Sequence, residues 1–153
     1  MGIDKDIHST NFRNQYHKAV VNIIYTNNWI MERHKEIFER GDITPQQYNI
    51  LRILRGAKQP LSTLQIRQRM LDKMSDTSRI VDRLLKKELV TKVICATDKR
   101  LVDVTITEKG LELLQQLDGY NEEIDNILSN ISQEDVKQLN LLLDKIRKTG
   151  PSE

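Results

Sequence analysis

The chain has 153 residues, 30% of them charged and 5% aromatic, and a formal net charge of +2; that length makes one domain the prior, with extensions used for assembly, and no segment is poor enough in apolar residues to read as disordered. The longest apolar runs fall far short of the ~20 residues that cross a bilayer, and no basic start leads into an apolar stretch with a small-residue cleavage site, so neither a membrane span nor a signal peptide is expected and the cytoplasm is the natural location. The one cysteine, Cys95, excludes an internal disulfide framework.

From about Thr10 to Glu39 the chain predicts one long helix. Phe12, Tyr16, Ala19, Val20, Ile23, Ile30, Ile37 and Phe38 recur at helical spacing, with Ser9 or Thr10 as the cap. The stripe runs over about eight turns, which a lone domain of this size has little reason to carry unless a second chain covers part of it. Gly41-Asp42 ends the helix. Thr44-Pro45-Gln46-Gln47 starts another, with an N-cap Thr, Pro in the first turn and Gln three residues on. Tyr48, Ile50, Leu51, Ile53 and Leu54 follow, and Gly56 is the expected stop.

Ser62-Thr63-Leu64-Gln65, after Pro60, repeats the start signal for a short helix to about Met70. "DKMSDTSRIVDRLLKKEL" comes next, with Ser75 or Asp76 as cap. At ~100° per residue, Ile80, Val81, Leu84 and Leu85 share one face, and Ser75, Arg79, Asp82, Arg83 and Lys86 share the opposite one. Leu89 and Val90 open a strand. Within "VICATDKRLVDVTITEKG" (93–110) the chain breaks at Thr97-Asp98-Lys99-Arg100 and returns in strict alternation to Thr107, which makes a two-stranded finger tipped with cations. Thr107-Glu108-Lys109-Gly110 leads into a further long helix to about Asn130. Ser132-Gln133-Glu134-Asp135 caps a last one, striped by Val136, Leu139, Leu142, Leu143 and Ile146. No repeat or low-complexity segment is visible, and residues 150–153 read as a loose tail.

Charge follows this layout. Residues 61–100 hold ten Lys and Arg against five Asp and Glu, residues 101–153 hold five against eleven, and residues 1–60 hold nine against six. A positive centre on a near-neutral chain suits a polyanionic partner. Two short helices, the second with a polar outer face, followed by a β-hairpin make a winged helix-turn-helix. The fold class is therefore mainly α with a small β-hairpin wing.

Three stretches, "ITPQQYNILRIL", "MSDTSRIVDRLLKKELV" and above all "DKRLVDVTITEKG", resemble the MarR family of bacterial transcription regulators, and the resemblance runs over almost the whole chain. It implies a homodimer with an N-terminal dimerisation helix (1–40), a winged DNA-binding lobe (41–107) and C-terminal dimerisation helices (108–153). It also implies a recognition helix in the major groove and a wing reaching the minor groove of double-stranded DNA. One departure is Glu88, where the family commonly has Gly. A Gly there ends the helix in a left-handed turn, which costs other residues ~1–2 kcal/mol.

On this reading Ser75, Thr77, Ser78, Arg79, Asp82, Arg83 and Lys86 of the recognition helix and Asp98, Lys99 and Arg100 of the wing are the DNA-binding residues. Ser78 and Arg79 sit near the helix start, suited to base edges, and Arg83 and Lys86 suit phosphates. Asp82 either orients Arg79 or Arg83 or accepts from a cytosine amine. Asp98 is placed to hold the Arg100 guanidinium by a two-pronged hydrogen bond. The plainer alternatives are a solvated helix face and a surface ion pair of almost no energetic value.

Cys95, beside Val93 and Ile94, reads as a buried inert thiol, with a redox sensor as the alternative. His8, His17 and His34 are spaced so that no two occupy adjacent turns, which argues against a metal site, and no cofactor is expected. Family resemblance places small-molecule pockets between the dimer helices and the DNA-binding lobe, and Tyr16, His17, Trp29 and His34 are candidates to line one. The expected function is a DNA-binding regulator, a dimeric repressor acting on a pseudo-palindromic operator and released by an effector. The alternative is a winged-helix module that turns its basic face to an acidic protein. An enzyme is remote, because no glycine-rich phosphate loop, paired Cys/His set or Ser-His-Asp arrangement can be named.

Overall fold

Side chains that fold back onto the backbone set most of the helix starts. The computed structural model describes residues 2–94, 98, 102–148 and 150. In it, Thr44 Oγ1 accepts from Gln47 N at 3.1 Å while Gln47 Oε1 accepts from Thr44 N at 3.1 Å. Ser62 and Gln65 make the same reciprocal pair at 3.1 and 2.9 Å. Each box satisfies backbone donors that the first helical turn leaves without partners.

The elements in order are α1 (Ile3–Asp6), α2 (Gln15–Glu39), α3 (Pro45–Ala57), β1 (Leu61–Ser62), α4 (Thr63–Arg69), α5 (Thr77–Lys86), β2 (Val90–Ile94), β3 (Val102–Ile106) and α6 (Glu108–Asp118). They belong to one compact unit, Met1–Tyr120. A second unit, Asn121–Glu153, holds α7 (Asn121–Asp125), a 3-10 turn (Asn126–Leu128) and α8 (Gln133–Ile146). The expected two-strand finger is part of a three-stranded antiparallel sheet in the order β1-β3-β2, with Leu61 opposite Val104 and Val90 opposite Ile106. At two residues, β1 is too short to show a period in sequence.

Three boundaries differ from expectation. The long first helix starts after Asn14, whose side chain accepts from His17 N at 2.9 Å, rather than at Ser9 or Thr10; residues Ile3–Asp6 form a separate turn, tied to α2 by a 2.8 Å ion pair between Asp4 and Lys18. Gly56 does not stop α3, which runs to Ala57 and ends at Lys58 in a left-handed conformation at φ 54°. The helix expected from 108 to about 130 breaks after Asp118, where Gly119 is the C-cap, and starts again at Asn121.

Apolar periodicity becomes a core around α3. Ile50 and Leu51 are fully buried, and Leu61, Ile66, Val81, Leu84, Val104 and Leu114 are buried with them. Tyr48 stacks on Phe38 from the end of α2, ring centroids 4.0 Å apart. Each large aliphatic side chain buried in this way contributes roughly 1.5–3 kcal/mol relative to exposure. Arg55 of α3 clamps Asp118 of α6 through two hydrogen bonds of 2.8 and 3.2 Å, and that bond is the main reason the guanidinium is raised above its ordinary pKa. No helix among the described residues is long and apolar enough to cross a membrane.

The α5-to-β2 turn resolves the departure at Glu88. This residue adopts the left-handed conformation, φ 61°, that a glycine would take without cost. The turn is held from α6: Thr107 Oγ1 donates to Glu88 O at 2.8 Å, Thr107 N to Leu89 O at 3.0 Å, and Lys109 Nζ to Lys87 O at 3.1 Å. Gly110 is pressed so closely here that a Cβ would lie 2.4 Å from Leu89 O and 2.7 Å from Ile106 Cγ1. We expect Glu88→Gly to raise stability by ~0.5–1 kcal/mol through relief of the left-handed strain. Gly110→Ala should lower it by ~2 kcal/mol or more, because backbone must move to admit the methyl. Urea unfolding midpoints of the two variants against the native chain check both signs.

Candidate nucleic-acid interface

The polar face of α5 is presented by a turn that the chain ties down on both sides. After α4, Leu71 N donates to Asn49 Oδ1 of α3 at 2.9 Å, and Ser75 Oγ donates to Asp72 O at 2.7 Å. Lys73 Nζ lies on the carbonyls of Arg67 and Gln68, at the negative end of α4. Asp76 is the cap of α5, its Oδ1 accepting from Arg79 N at 3.2 Å, and Ser75 serves the turn instead.

From that cap, Val81 and Leu84 enter the core, while Ser78, Arg79, Asp82, Arg83 and Lys86 are exposed and Ser75 is half-buried. Among the described residues, no side-chain hydrogen bond or ion pair engages Arg79, Arg83 or Lys86. Three cations on one face, free of internal partners, can meet an external anion without breaking anything. Thr77 does not share this face: it is 4% exposed, and its Oγ1 is buried with no partner among the described residues. As the first residue of α5, four positions before Val81 and seven before Leu84, it lies on the apolar face of the helix.

Asp82 contacts neither of its expected partners Arg79 and Arg83 but Lys92 of β2, Oδ1 to Nζ 2.9 Å. Lys92 is opposite Val104 in the ladder, and directly opposed residues share a face. Val104 is fully buried, so this lysine occupies the helix-side face of the wing and reaches along it to α5. Sequence reasoning passed over Lys92 and Asn49. The signal for Lys92 was available, a cation at an inward position of the strand alternation; Asn49 left none.

Of the wing residues, Asp98 is described and half-buried. Lys99 and Arg100, the expected Asp98–Arg100 pair, and Cys95 lie outside the described residues. The neighbours invoked for a buried thiol are themselves open, Val93 being 53% and Ile94 62% exposed. The strict alternation expected of β3 is kept only at Val104, since Val102 and Ile106 are half-buried like Asp103 and Thr105.

The four candidate effector-pocket residues are not brought together. Tyr16 is 85% exposed, and His34 lies about 27 Å further along the axis of α2. His17 packs on Phe12, with centroids 5.7 Å apart. Arg33 lies 3.5 Å over the Trp29 ring. His34 rests against Phe38 at 5.5 Å, and burial pushes its imidazole below the usual pKa. A depression of about 510 Å³ lies between α2 and α3 and is lined by Met31, Glu32, Lys35, Ile43 and Gln46 among others. No cluster of three or more His, Cys, Asp or Glu that could hold a metal ion occurs among the described residues.

Comparison with known proteins follows the same outline. A family model described as the MarR family matches residues 41–101, which take in the helix-turn-helix and the first strand of the wing. The HTH-type transcriptional regulator MhqR of Bacillus subtilis (strain 168) is 31% identical over 115 residues, 74% of this chain and 77% of its own length. A cysteine-to-serine mutant of MarR from E. coli, solved in complex with operator DNA, superimposes with a TM-score of 0.81 at 23% identity, covering 91% of this chain and all of that one. MepR of S. aureus, also solved with DNA, reaches a TM-score of 0.75 at 21% identity over 89% of this chain and 97% of its own.

The cap on α5 sets the first turn from which Ser78 and Arg79 project. Asp76→Ala should destabilise the unit by ~1 kcal/mol, the usual value of an N-cap, while Asp76→Asn, which can still accept from Arg79 N, should cost little. Thermal unfolding followed by circular dichroism separates the two; equal losses would show that the charge, not the cap, is what matters.

Proposed function

The chain belongs to the MarR family, and from that premise we propose that it is a dimeric, sequence-specific DNA-binding transcription regulator acting in the cytoplasm as a repressor. The observation that carries the reading is the face of α5 on which Arg79, Arg83 and Lys86 stand exposed and, among the described residues, without internal partners. A helix of ten residues is long enough to lie in a major groove. Ser78 and Arg79 meet base edges near its start, and Arg83 and Lys86 meet phosphates further along. Lys99 and Arg100, which lie between β2 and β3 in the sequence, enter the neighbouring minor groove in this proposal, where narrow A·T-rich stretches concentrate negative potential. Regulators of this family are not enzymes, and the site contains binding groups only.

A second copy of the chain completes the molecule in this proposal. Val20, Ile23, Ile24 and Tyr25 of α2 are exposed, as are Leu139, Leu142 and Ile146 of α8, which buries no residue at all. Apolar faces of that extent mark interaction surfaces. Two copies present two recognition helices, so the operator is an imperfect palindrome with half-sites about one helical turn, ~10 base pairs, apart. Release by a small-molecule effector belongs to the same reading, with the depression between α2 and α3 as its site in place of Tyr16, His17, Trp29 and His34. A protein-interaction module is less favoured, because MarR and MepR are both solved bound to DNA.

A gel shift with the DNA upstream of its own gene is the direct test. Retardation that a scrambled duplex does not compete away supports the proposal; no retardation of that fragment, and no duplex enriched from a random pool, overturns it. If each subunit neutralises ~3–5 phosphates, log K should fall with log salt at a slope of roughly −5 to −9. A nearly salt-independent affinity would point to the protein-partner reading instead.

Light scattering should return twice the chain mass of 17.9 kDa at micromolar concentration. Ile23→Asp or Leu139→Asp should give aggregation or unfolding, since obligate dimers often have no stable folded monomer. A well-folded native monomer at all concentrations would remove the two-copy arrangement.

A further inference from the structure

The DNA-facing side of α5 carries one acid among its cations. Asp82 has two of them within helical reach, Arg79 at i−3 and Lys86 at i+4, and pairs at those spacings form readily on an exposed helix. None of them holds it. The carboxylate is taken by Lys92, 2.9 Å away on the neighbouring strand, and among the described residues the three helix cations are left without internal partners. Lys92 is committed to this contact by register, because its place opposite the buried Val104 turns it toward the helix and not toward the outer surface of the wing.

We propose that Lys92 is a positioning residue for DNA recognition. By holding Asp82 it prevents that carboxylate from pairing with Arg79 or Lys86, and so keeps the recognition cations available to the duplex. The proposal rests on the DNA-binding reading and assigns a role to a residue that itself need touch no base. It also accounts for the acid on this face: the pair joins α5 to the base of the wing, so that helix and finger approach DNA in one fixed relation. Its contribution to folding stability is small, as expected of a half-exposed ion pair; its effect is on which charges remain free.

The test is a double-mutant cycle on the full chain, using the duplex that the native protein enriches from a random pool. Affinities of native, Lys92→Met, Asp82→Asn and the double variant are read by fluorescence anisotropy at fixed salt, with circular dichroism and light scattering confirming that each is folded as the native chain is. In the native background Asp82→Asn measures any direct effect of the carboxylate on DNA, and the coupling to Lys92 is read against it. With Lys92 replaced, the freed carboxylate captures a neighbouring cation. Lys92→Met should then lose about tenfold, and adding Asp82→Asn should recover most of that loss. The salt slope should fall by about one for Lys92→Met, because one cation is withdrawn from phosphate, and adding Asp82→Asn should restore it, whereas loss of a phosphate contact made by Lys92 itself would leave the slope lowered by about one in both backgrounds.

If Lys92 is an ordinary phosphate contact, its loss is equal in both backgrounds and Asp82→Asn gains the same factor in each; that additive result overturns the proposal while leaving DNA binding intact. Failure of the native chain to enrich any duplex overturns the DNA reading and the proposal with it.

Discussion

The α5-to-β2 turn is the constraint on which the site depends. Glu88 must enter a left-handed conformation for the chain to leave the recognition helix and begin the wing within a few residues. An L-residue there is strained, so the surroundings have to over-determine the turn. They do so from the far side of the wing: Thr107 donates to Glu88 O through its hydroxyl and to Leu89 O through its amide, and Gly110 lets the start of α6 lie against Leu89. The spacing of Thr107 and Gly110 thus has a double use. Thr107 caps α6 by accepting from Gly110 N at 3.1 Å, and the same two residues clamp the turn. The direction in which α5 projects is set by groups about twenty positions further along the chain.

A second consequence concerns the basic centre of the sequence, whose cations do not share one role. Lys87 is drawn to Asp42, with its ammonium on the Asp42 carbonyl and 3.6 Å from the carboxylate. Lys109 holds the carbonyl of Lys87, Lys73 closes the end of α4, and Lys92 takes Asp82. These lysines fix the elements relative to one another, which a compact ammonium on a flexible stem does well. Among the described residues Arg67, Arg69, Arg79, Arg83 and Lys86 remain, the last three on the face of α5. A net charge summed over residues 61–100 therefore overstates the potential available to a ligand while correctly locating it.

Burial is just as uneven. The core around α3 is closed, with Ile50, Leu51, Leu54 and Leu84 all at most 2% exposed. Along α2 only Ile37 and Phe38 are buried, at its C-terminal end. An amphipathic helix draws most of its stability from tertiary packing of its apolar face rather than from propensity. The length of α2 beyond its packed end, and all of α8, are the faces that the proposed second copy would cover.

What the sequence determined by itself was everything governed by neighbours within one turn. Thr44 with Gln47, Ser62 with Gln65 and Ser132 with Asp135 are recognisable because donor and acceptor lie three residues apart. The amphipathic split of α5 follows from the 3.6-residue period, which is why Arg79, Asp82, Arg83 and Lys86 were legible as one exposed face, although Ser75, read with them, precedes the helix and is half-buried. Only the tertiary structure decided the rest. It added β1, whose two residues carry no period and acquire strand geometry from pairing with β3. It left Tyr16, His17, Trp29 and His34 strung along one helix, because residue type alone does not make a pocket. And it gave Asp82 to Lys92, ten positions away, instead of to the cations within reach on its own helix. Local order is chosen by contacts that form wherever the chain is; partners across elements exist only once packing has set the register of β2 against β3 and pressed that sheet against α5.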